Sequence, residues 1–277
     1  MEKIIITGHI GFIGSNLYKE YNRGICYEVI GLDSDYLYND NWDNILINRL
    51  NVIKPNIIFH VGACSNTLEK DVNYMMIRNV ESTKLITDWA VYNGAKIIYS
   101  SSASSYGING RYPSNLYGWS KYIGEQYVIQ NGGIALRYFN VYGPGEEHKD
   151  IMASVAYQMY MKNKNGEKIK LFPNKPRRDF VYIGDVVSAN MHALKHYNEL
   201  NGNFYDVGSG TARPFEDVLN LLEIEFTYAR ENVIPEGYQF YTCSDVTKFM
   251  KFWRPTYTLE EGIKNYKEYL DDSISNR

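Results

Sequence analysis

Cysteine is scarce and scattered. Only Cys26, Cys64 and Cys243 occur, far apart and with no C-x-x-C pair. That spacing argues against a disulfide framework or a zinc site and predicts three reduced thiols, as in a cytoplasmic protein. Long apolar runs are missing too. No stretch of about 18 apolar residues exists, so no membrane span is predicted. The apolar run at the amino terminus is short and enters a glycine loop, which is not the pattern of a secretory leader. Positive charge is not in excess. The formal net charge is −3, which leaves no electrostatic footprint for nucleic acid. What is present, at 277 residues, is enough chain for one large α/β domain, or for a large domain and a small one.

The first half alternates β-branched runs with segments whose apolar residues recur at helical spacing. Strands are predicted at 3–7, 28–33, 56–60, 96–101 and 134–138, and helices at 12–21, 71–92 and 117–130. Strands that are apolar throughout, alternating with helices, predict a Rossmann-like α/β fold, a doubly wound parallel sheet covered on both faces. Such a fold usually has a third strand in the interval 33–56. None is evident there, so that strand is expected to be short or lost. Past Tyr142 the pattern loosens. Helices are predicted at 152–163, 215–222 and 259–270, strands at 168–172, 180–183 and 204–207, and one more helix with Asp185 near its start. The expected organisation is a dinucleotide-binding domain over 1–145, to which 179–212 returns. A smaller, largely C-terminal substrate-binding domain is expected from 146–178 and 213–277.

The stretch IIITGHIGFIGSN places Gly8, Gly11 and Gly14 between a strand and a helix. Such a loop provides a tight turn, close approach of backbone to phosphate and close helix–strand packing. The pyrophosphate then lies on free N–H groups at the helix start. Asp33 closes the second strand at the distance where a carboxylate accepts the hydroxyls of the adenine ribose. The 15 residues after it, SDYLYNDNWDNILIN, hold no Lys or Arg for a 2′-phosphate. NAD is therefore the expected cofactor, ahead of NADP.

IIYSSSASSYG ends the fourth predicted strand, and LYGWSK puts Tyr117 and Lys121 four apart on one helix face. A tyrosine with a free pKa of ~10 is a poor base at neutral pH. A nearby ammonium favours the phenolate. A serine hydroxyl at the carboxyl end of a strand can hold a substrate hydroxyl, because doubly wound sheets bind ligands there.

Together, TGHIGFIG, SSSASSYG, YGWSK and RYFNVYGP resemble the extended short-chain dehydrogenase/reductases, which act mostly on nucleotide sugars. The resemblance implies that Ser102, rather than Ser104 or Ser105, is the catalytic hydroxyl beside Tyr117 and Lys121. It implies cofactor contacts from Gly8, Gly11, Phe12, Ile13, Gly14, Asp33, Ser34, Gly62, Ala63, Cys64, Asn79, Tyr117 and Lys121. His60 reads instead as a structural histidine. Dehydratases of the family carry an Asp-Glu pair after the catalytic hydroxyl residue; here Ala103 and Ser104 stand in those places.

GACSNT, YMM, HKDIMASVA, RRDFVYIGDV and GYQFYTCSD resemble one branch further, the ADP-glycero-manno-heptose 6-epimerases, with HK-x-x-MASV the most specific stretch. That resemblance implies epimerisation by transient oxidation to a carbonyl and return of the hydride to the opposite face. Tyr117 and Lys149 would serve the two faces. Substrate contacts are implied for Ser65, Ser102, Asn140, Gln158, Phe172, Arg178 and Tyr238. A guanidinium such as that of Arg178 matches a diphosphate. Lys149 acts as a base only if its pKa is lowered, against which Glu146, Glu147 and Asp150 would work. The interval from Ser102 to Tyr117 is 15 residues, shorter than in that branch, and Val61 and Ile151 depart from its pattern. An epimerase or a reductase of another nucleotide sugar is the alternative, and a non-catalytic NAD-binding protein a further one. Family members imply a homo-oligomer.

Overall fold

The computed structural model describes residues 1–108, 110–230 and 238–275. Asn109, in the loop after the serine run, and Gly237, which opens one of the matched stretches, lie outside the described residues. The strands are β1 (Glu2–Thr7), β2 (Tyr27–Leu32), β3 (Ile57–His60), β4 (Lys96–Ser102), β5 (Ile134–Tyr138), β6 (Asn140–Tyr142), β7 (Ile169–Leu171), β8 (Arg177–Tyr182), β9 (Asn203–Val207), β10 (Ala212–Pro214) and β11 (Phe226–Tyr228). The helices are α1 (Phe12–Arg23), α2 (Trp42–Ile53), α3 (Val72–Met76), α4 (Ser82–Asn93), α5 (Leu116–Gln130), α6 (Val155–Lys164), α7 (Ile183–Lys195), α8 (Tyr197–Leu200), α9 (Phe215–Leu221) and α10 (Leu259–Ser275).

The chain divides into two compact units. The first comprises Met1–Arg137 and Asn190–Tyr205 and is built on a six-stranded parallel sheet in the order β2-β1-β3-β4-β5-β9. Ile4, Ile5 and Ile6 are all fully buried, so both faces of β1 are covered, as a run without alternation requires. No strand lies between β2 and β3. Instead a 3-10 turn over Ser34–Tyr38 leads into α2, a helix that the sequence pattern did not announce. Leu46 and Leu50, one turn apart, bury α2 against the sheet's core cluster.

The helix predicted over 71–92 is interrupted. Between α3 and α4 the chain takes a π-helical turn over Ile77–Glu81. Such a turn holds one residue more than an α-helical one and often marks a functional site. Arg78 and Asn79 lie on it.

The second unit comprises Tyr138–Ala189 and Asp206–Arg277. It holds a three-stranded sheet, β10-β8-β6, and a pair, β11-β7. The division falls at Tyr138, ahead of the expected 145, because β6 leaves the large sheet and pairs with β8. For the same reason the returning segment is shorter than 179–212: β8 and β10 belong to the second unit's own sheet. The helix expected over 152–163 begins at Val155, where Ser154 accepts the N–H of Tyr157 as a cap. Leu219, Ile263 and Tyr266 anchor the unit's apolar core. Among the described residues no helix is long and apolar enough to cross a membrane.

One buried ion pair ties α5 to β5. Arg137 Nε donates to Glu125 Oε2 at 2.7 Å, and Ser101 donates to the same oxygen at 2.7 Å. Glu125 is fully buried. Glu125→Ala leaves a guanidinium buried without its partner and is expected to cost about 3–5 kcal/mol. A urea unfolding midpoint unchanged in this variant would refute that.

Candidate active site

In the first unit the glycine loop is closed by backbone. Gly8 has φ of +64°, and its N–H donates to Leu32 O at 2.8 Å. A Cβ on Gly14 would sit 2.1 Å from Gly8 O, and one on Gly8 would sit 2.7 Å from Gly62 Cα. Gly11, the cap residue of α1, makes no side-chain cap hydrogen bond. A cradle this tight at the start of a helix suits an anionic dinucleotide.

Beside the loop lies a cavity of about 130 Å³. It gathers Gly8, Asp33, Ser34, Gly62, Ala63 and Cys64 from the expected cofactor set. Gly11, Phe12, Ile13, Gly14, Asn79, Tyr117 and Lys121 are not in its wall. Arg78 and Tyr74 are; Tyr74 opens the YMM stretch, whereas no motif marked Arg78. Asn79 supports the site from beneath. Its amide oxygen accepts the Cys64 N–H at 2.7 Å, and its NH₂ donates to Cys64 O at 2.9 Å and Ser120 Oγ at 2.9 Å. That clamp fixes the loop after β3. Ser65, next in that loop, is exposed.

Ser102 ends β4, and its Oγ accepts the Ser104 N–H at 3.2 Å. It is also hydrogen-bonded to Tyr117, in the first turn of α5, two residues past the Asn115 cap. Burial pushes Tyr117 above its usual pKa, and the Ser102 hydrogen bond pulls the other way. The ammonium expected to lower Tyr117 is directed elsewhere: Lys121 Nζ lies 4.3 Å from the centroid of the Tyr99 ring. Lys121 is 2% exposed, and burial pulls it down to about 7, with Glu125 opposing. In the protein alone both groups thus lean toward their neutral forms. His60 is buried between Thr7 Oγ1 at 2.8 Å and Thr83 Oγ1 at 2.9 Å. Burial and the Lys121 charge hold its pKa down at about 3, so it stays neutral.

In the second unit Lys149 lies on a 3-10 segment over Glu147–Met152. Burial lowers its pKa, and Glu146 works against that. Of the three acidic neighbours, Glu146 alone is the one that registers on it. Asp150 and His148 are exposed. Glu146 is fully buried and closes the segment like a staple. Its carboxylate accepts Ser154 Oγ–H at 2.6 Å and the Gly143 N–H at 3.3 Å, while its carbonyl accepts the Lys149 N–H at 2.9 Å. Gln158 contributes from α6, donating to Ala153 O at 2.7 Å and Ile151 O at 3.1 Å. Its NH₂ therefore holds the lysine segment.

Arg178, Phe172 and Tyr238 come together as a cluster. The Phe172 and Tyr238 rings meet edge to face at 5.0 Å, and the Arg178 guanidinium lies 5.3 Å from the Tyr238 centroid. Burial lowers the Arg178 pKa. The carboxylates that could have paired with Arg178 are engaged: Asp179 accepts from Ser209 and Ser244, and Asp185 from Thr256 and Tyr257. Among the described residues none lies within ion-pair distance of Arg178. Asn140 begins β6 and is exposed.

Residues 4–208 match the NAD dependent epimerase/dehydratase family. An ADP-L-glycero-D-manno-heptose-6-epimerase of Brachyspira hyodysenteriae is 34% identical over 315 residues, covering 98% of each chain. The crystal structure of the Helicobacter pylori ADP-L-glycero-D-manno-heptose-6-epimerase superposes with a TM-score of 0.86 at 28% identity, over 98% of this chain and 96% of that one. A UDP-glucose 4-epimerase from Thermotoga maritima, solved with UDP-glucose, gives a TM-score of 0.87 at 23% identity, over 98% and 99%. At that identity the likeness speaks to fold alone.

Proposed function

The chain belongs to the NAD dependent epimerase/dehydratase family, and on that premise we propose that it is an NAD-dependent isomerase that epimerises a nucleotide sugar, with ADP-glycero-manno-heptose its first candidate substrate. One observation carries the reading. The chain holds two separate sets of half-buried proton-transfer groups, Ser102–Tyr117 in one unit and Lys149 in the other. A reductase needs one such group; inversion by oxidation and re-reduction needs one for each face of the reacting carbon.

Bound NAD would supply a reversible hydride acceptor. The glycine loop and the start of α1 would hold its pyrophosphate, and Asp33 its ribose hydroxyls. Ser102 positions the sugar hydroxyl. Tyr117 takes its proton as the carbonyl forms. Lys121, one turn further along α5 with its amine over the Tyr99 ring, would favour the Tyr117 phenolate when it carries its proton. After the sugar turns, Lys149 delivers a proton to the carbonyl oxygen on the other face, and in the reverse direction it removes one. Arg178, with Phe172 and Tyr238 beside it, faces the nucleotide diphosphate. A homo-oligomer belongs to the proposal on the resemblance alone, and light scattering reads it.

The test is incubation of the purified protein with ADP-, GDP-, CDP- and UDP-linked sugars, followed by proton NMR and mass spectrometry. A new epimer of unchanged mass is expected, with no net consumption of cofactor. Stoichiometric loss of NADH would make the protein a reductase. No stereochemical change in any sugar would refute the epimerase.

A further inference from the structure

Tyr99 lies in β4, three residues before Ser102, and is 1% exposed. Its ring meets that of His60 on β3, with centroids 5.6 Å apart. It also reaches α5. A Cβ on Gly124 would sit 2.6 Å from the Tyr99 hydroxyl oxygen, so a glycine at 124 is what admits the ring to the helix. One turn before Glu125 on that helix, the Lys121 amine lies 4.3 Å from the ring centroid.

That amine has few other means of carrying a charge. Burial draws its pKa down to about 7, so at neutral pH the proton is held only marginally. Among the described residues no carboxylate lies within ion-pair distance of Lys121. The titratable groups around it are Tyr117 and Glu125, each one turn away on α5, Tyr99 of β4 and His60 of β3. Glu125 favours the ammonium, but its oxygens already accept from Arg137 of β5 and from Ser101. The carboxylate is thus largely offset by a guanidinium. His60 is neutral and brings no negative charge. A buried ammonium without a paired anion is costly. The π face of a ring is the negative potential that remains, and a cation within ~6 Å of its centroid is stabilised, the more so when desolvated.

We propose that Tyr99 is a positioning residue of the reaction: the face of its ring seats the Lys121 ammonium in place of a carboxylate. The inference deepens the proposed function and rests on it, since there the ammonium serves to favour the Tyr117 phenolate. A free carboxylate in the same place would hold the ammonium more firmly, but its charge would repel the phenolate one turn away. The ring adds no net charge. It therefore lets one stretch of α5 favour a cation at 121 and an anion at 117 together.

The experiment follows the lysine itself. The full chain, free of nucleotide and labelled with carbon-13 at the lysine ε position, is titrated by NMR, and Lys121 is the signal missing from Lys121→Met. The ring stabilises the protonated form, so its loss should release the proton at lower pH. Tyr99→Phe keeps the face and is expected to leave the midpoint within about half a pH unit of wild type. Tyr99→Leu removes the face and should lower the midpoint by about one pH unit or more. Mono-, di- and trifluorinated phenylalanine at position 99 weaken the face while keeping the shape, and the midpoint should step down with each fluorine. That series decides the matter even if Tyr99→Leu does not fold. A midpoint indifferent to fluorination would overturn the proposal, and so would one that Tyr99→Phe moves as far as Tyr99→Leu. In turnover, Tyr99→Leu should lose about fivefold in kcat at pH 7 with KM within about twofold, and should regain part of it as the pH is lowered. An equal loss at every pH would make Tyr99 a packing residue alone and refute the seat. The titration needs no substrate. A midpoint that shifts as expected in a protein that epimerises no sugar would therefore refute the proposed function and leave the seat of Lys121 standing.

Discussion

Tyr117→Phe is expected to reduce kcat by about 10³-fold or more while the protein stays folded and binds NAD. The variant removes one oxygen from a half-buried ring and leaves the ring's packing intact. Ser102 keeps the hydrogen bond it accepts from Ser104 N–H at 3.2 Å, so it is not left without a partner in the folded protein. Lys121 and Asn79, whose bonds run to Tyr99, Cys64 and Ser120, do not depend on the phenol. The loss should therefore fall on the chemical step. The measurements are turnover by NMR, NAD affinity by calorimetry and the melting temperature. Turnover within about tenfold of wild type would remove Tyr117 from proton transfer. Lost turnover with a collapsed melting transition would show that the hydroxyl is structural.

Lys149→Ala is expected to cost about 10²–10⁴-fold in epimerisation. It should leave the first oxidation intact, because that half-reaction belongs to Ser102 and Tyr117. The diagnostic is partial chemistry: with substrate the variant builds up reduced cofactor absorbance, or exchanges hydride on the starting face, without forming the epimer. Near-normal epimerisation would place Lys149 outside the reaction.

The pH profile adds a second reading. Two groups share one transferable proton, so the rate should follow a bell whose limbs belong to the pair. Burial lowers Lys149, which brings its limb below the ordinary lysine range. The Glu146 carboxylate favours the ammonium and so raises it. Glu146→Gln removes that charge, and the Lys149 limb should move to lower pH. Glu146 is itself raised by burial, so the wild type should lose the same support when acid protonates it. The amide can still accept from Ser154, which keeps the staple partly closed. A profile unmoved by Glu146→Gln would separate Glu146 from the titrating group.

Much of the first unit could be read along the chain. Strands 3–7, 28–33 and 96–101 correspond to β1, β2 and β4 within a residue or so at each end, because β-branched runs between turn residues leave few other conformations. The absence of a strand between Asp33 and Ile57 was legible as well, but α2 was not. Its buried Leu46 and Leu50 are set among many Asn residues, and their helical spacing becomes clear only against the sheet they cover. The 71–92 segment had the periodicity of one helix. The inserted residue that makes a π-helical turn at Ile77–Glu81 leaves no mark in composition.

The site divides along the same line. The sequence by itself determined the glycine loop, the Ser102–Tyr117–Lys121 set and Lys149 as a candidate, since each depends on residue type and spacing within one turn or one helix. Only the tertiary structure decided which groups modulate them. It directed the Lys121 ammonium to Tyr99 and left Ser102 to act on Tyr117. It turned one of three acidic neighbours of Lys149 into a buried staple, and it brought Arg78 into the wall of the cavity. The physical reason is range. Secondary structure and turns follow from contacts within a few residues, whereas burial and charge pairing depend on groups distant in sequence, and those set the pKa of a lysine or the fate of a guanidinium.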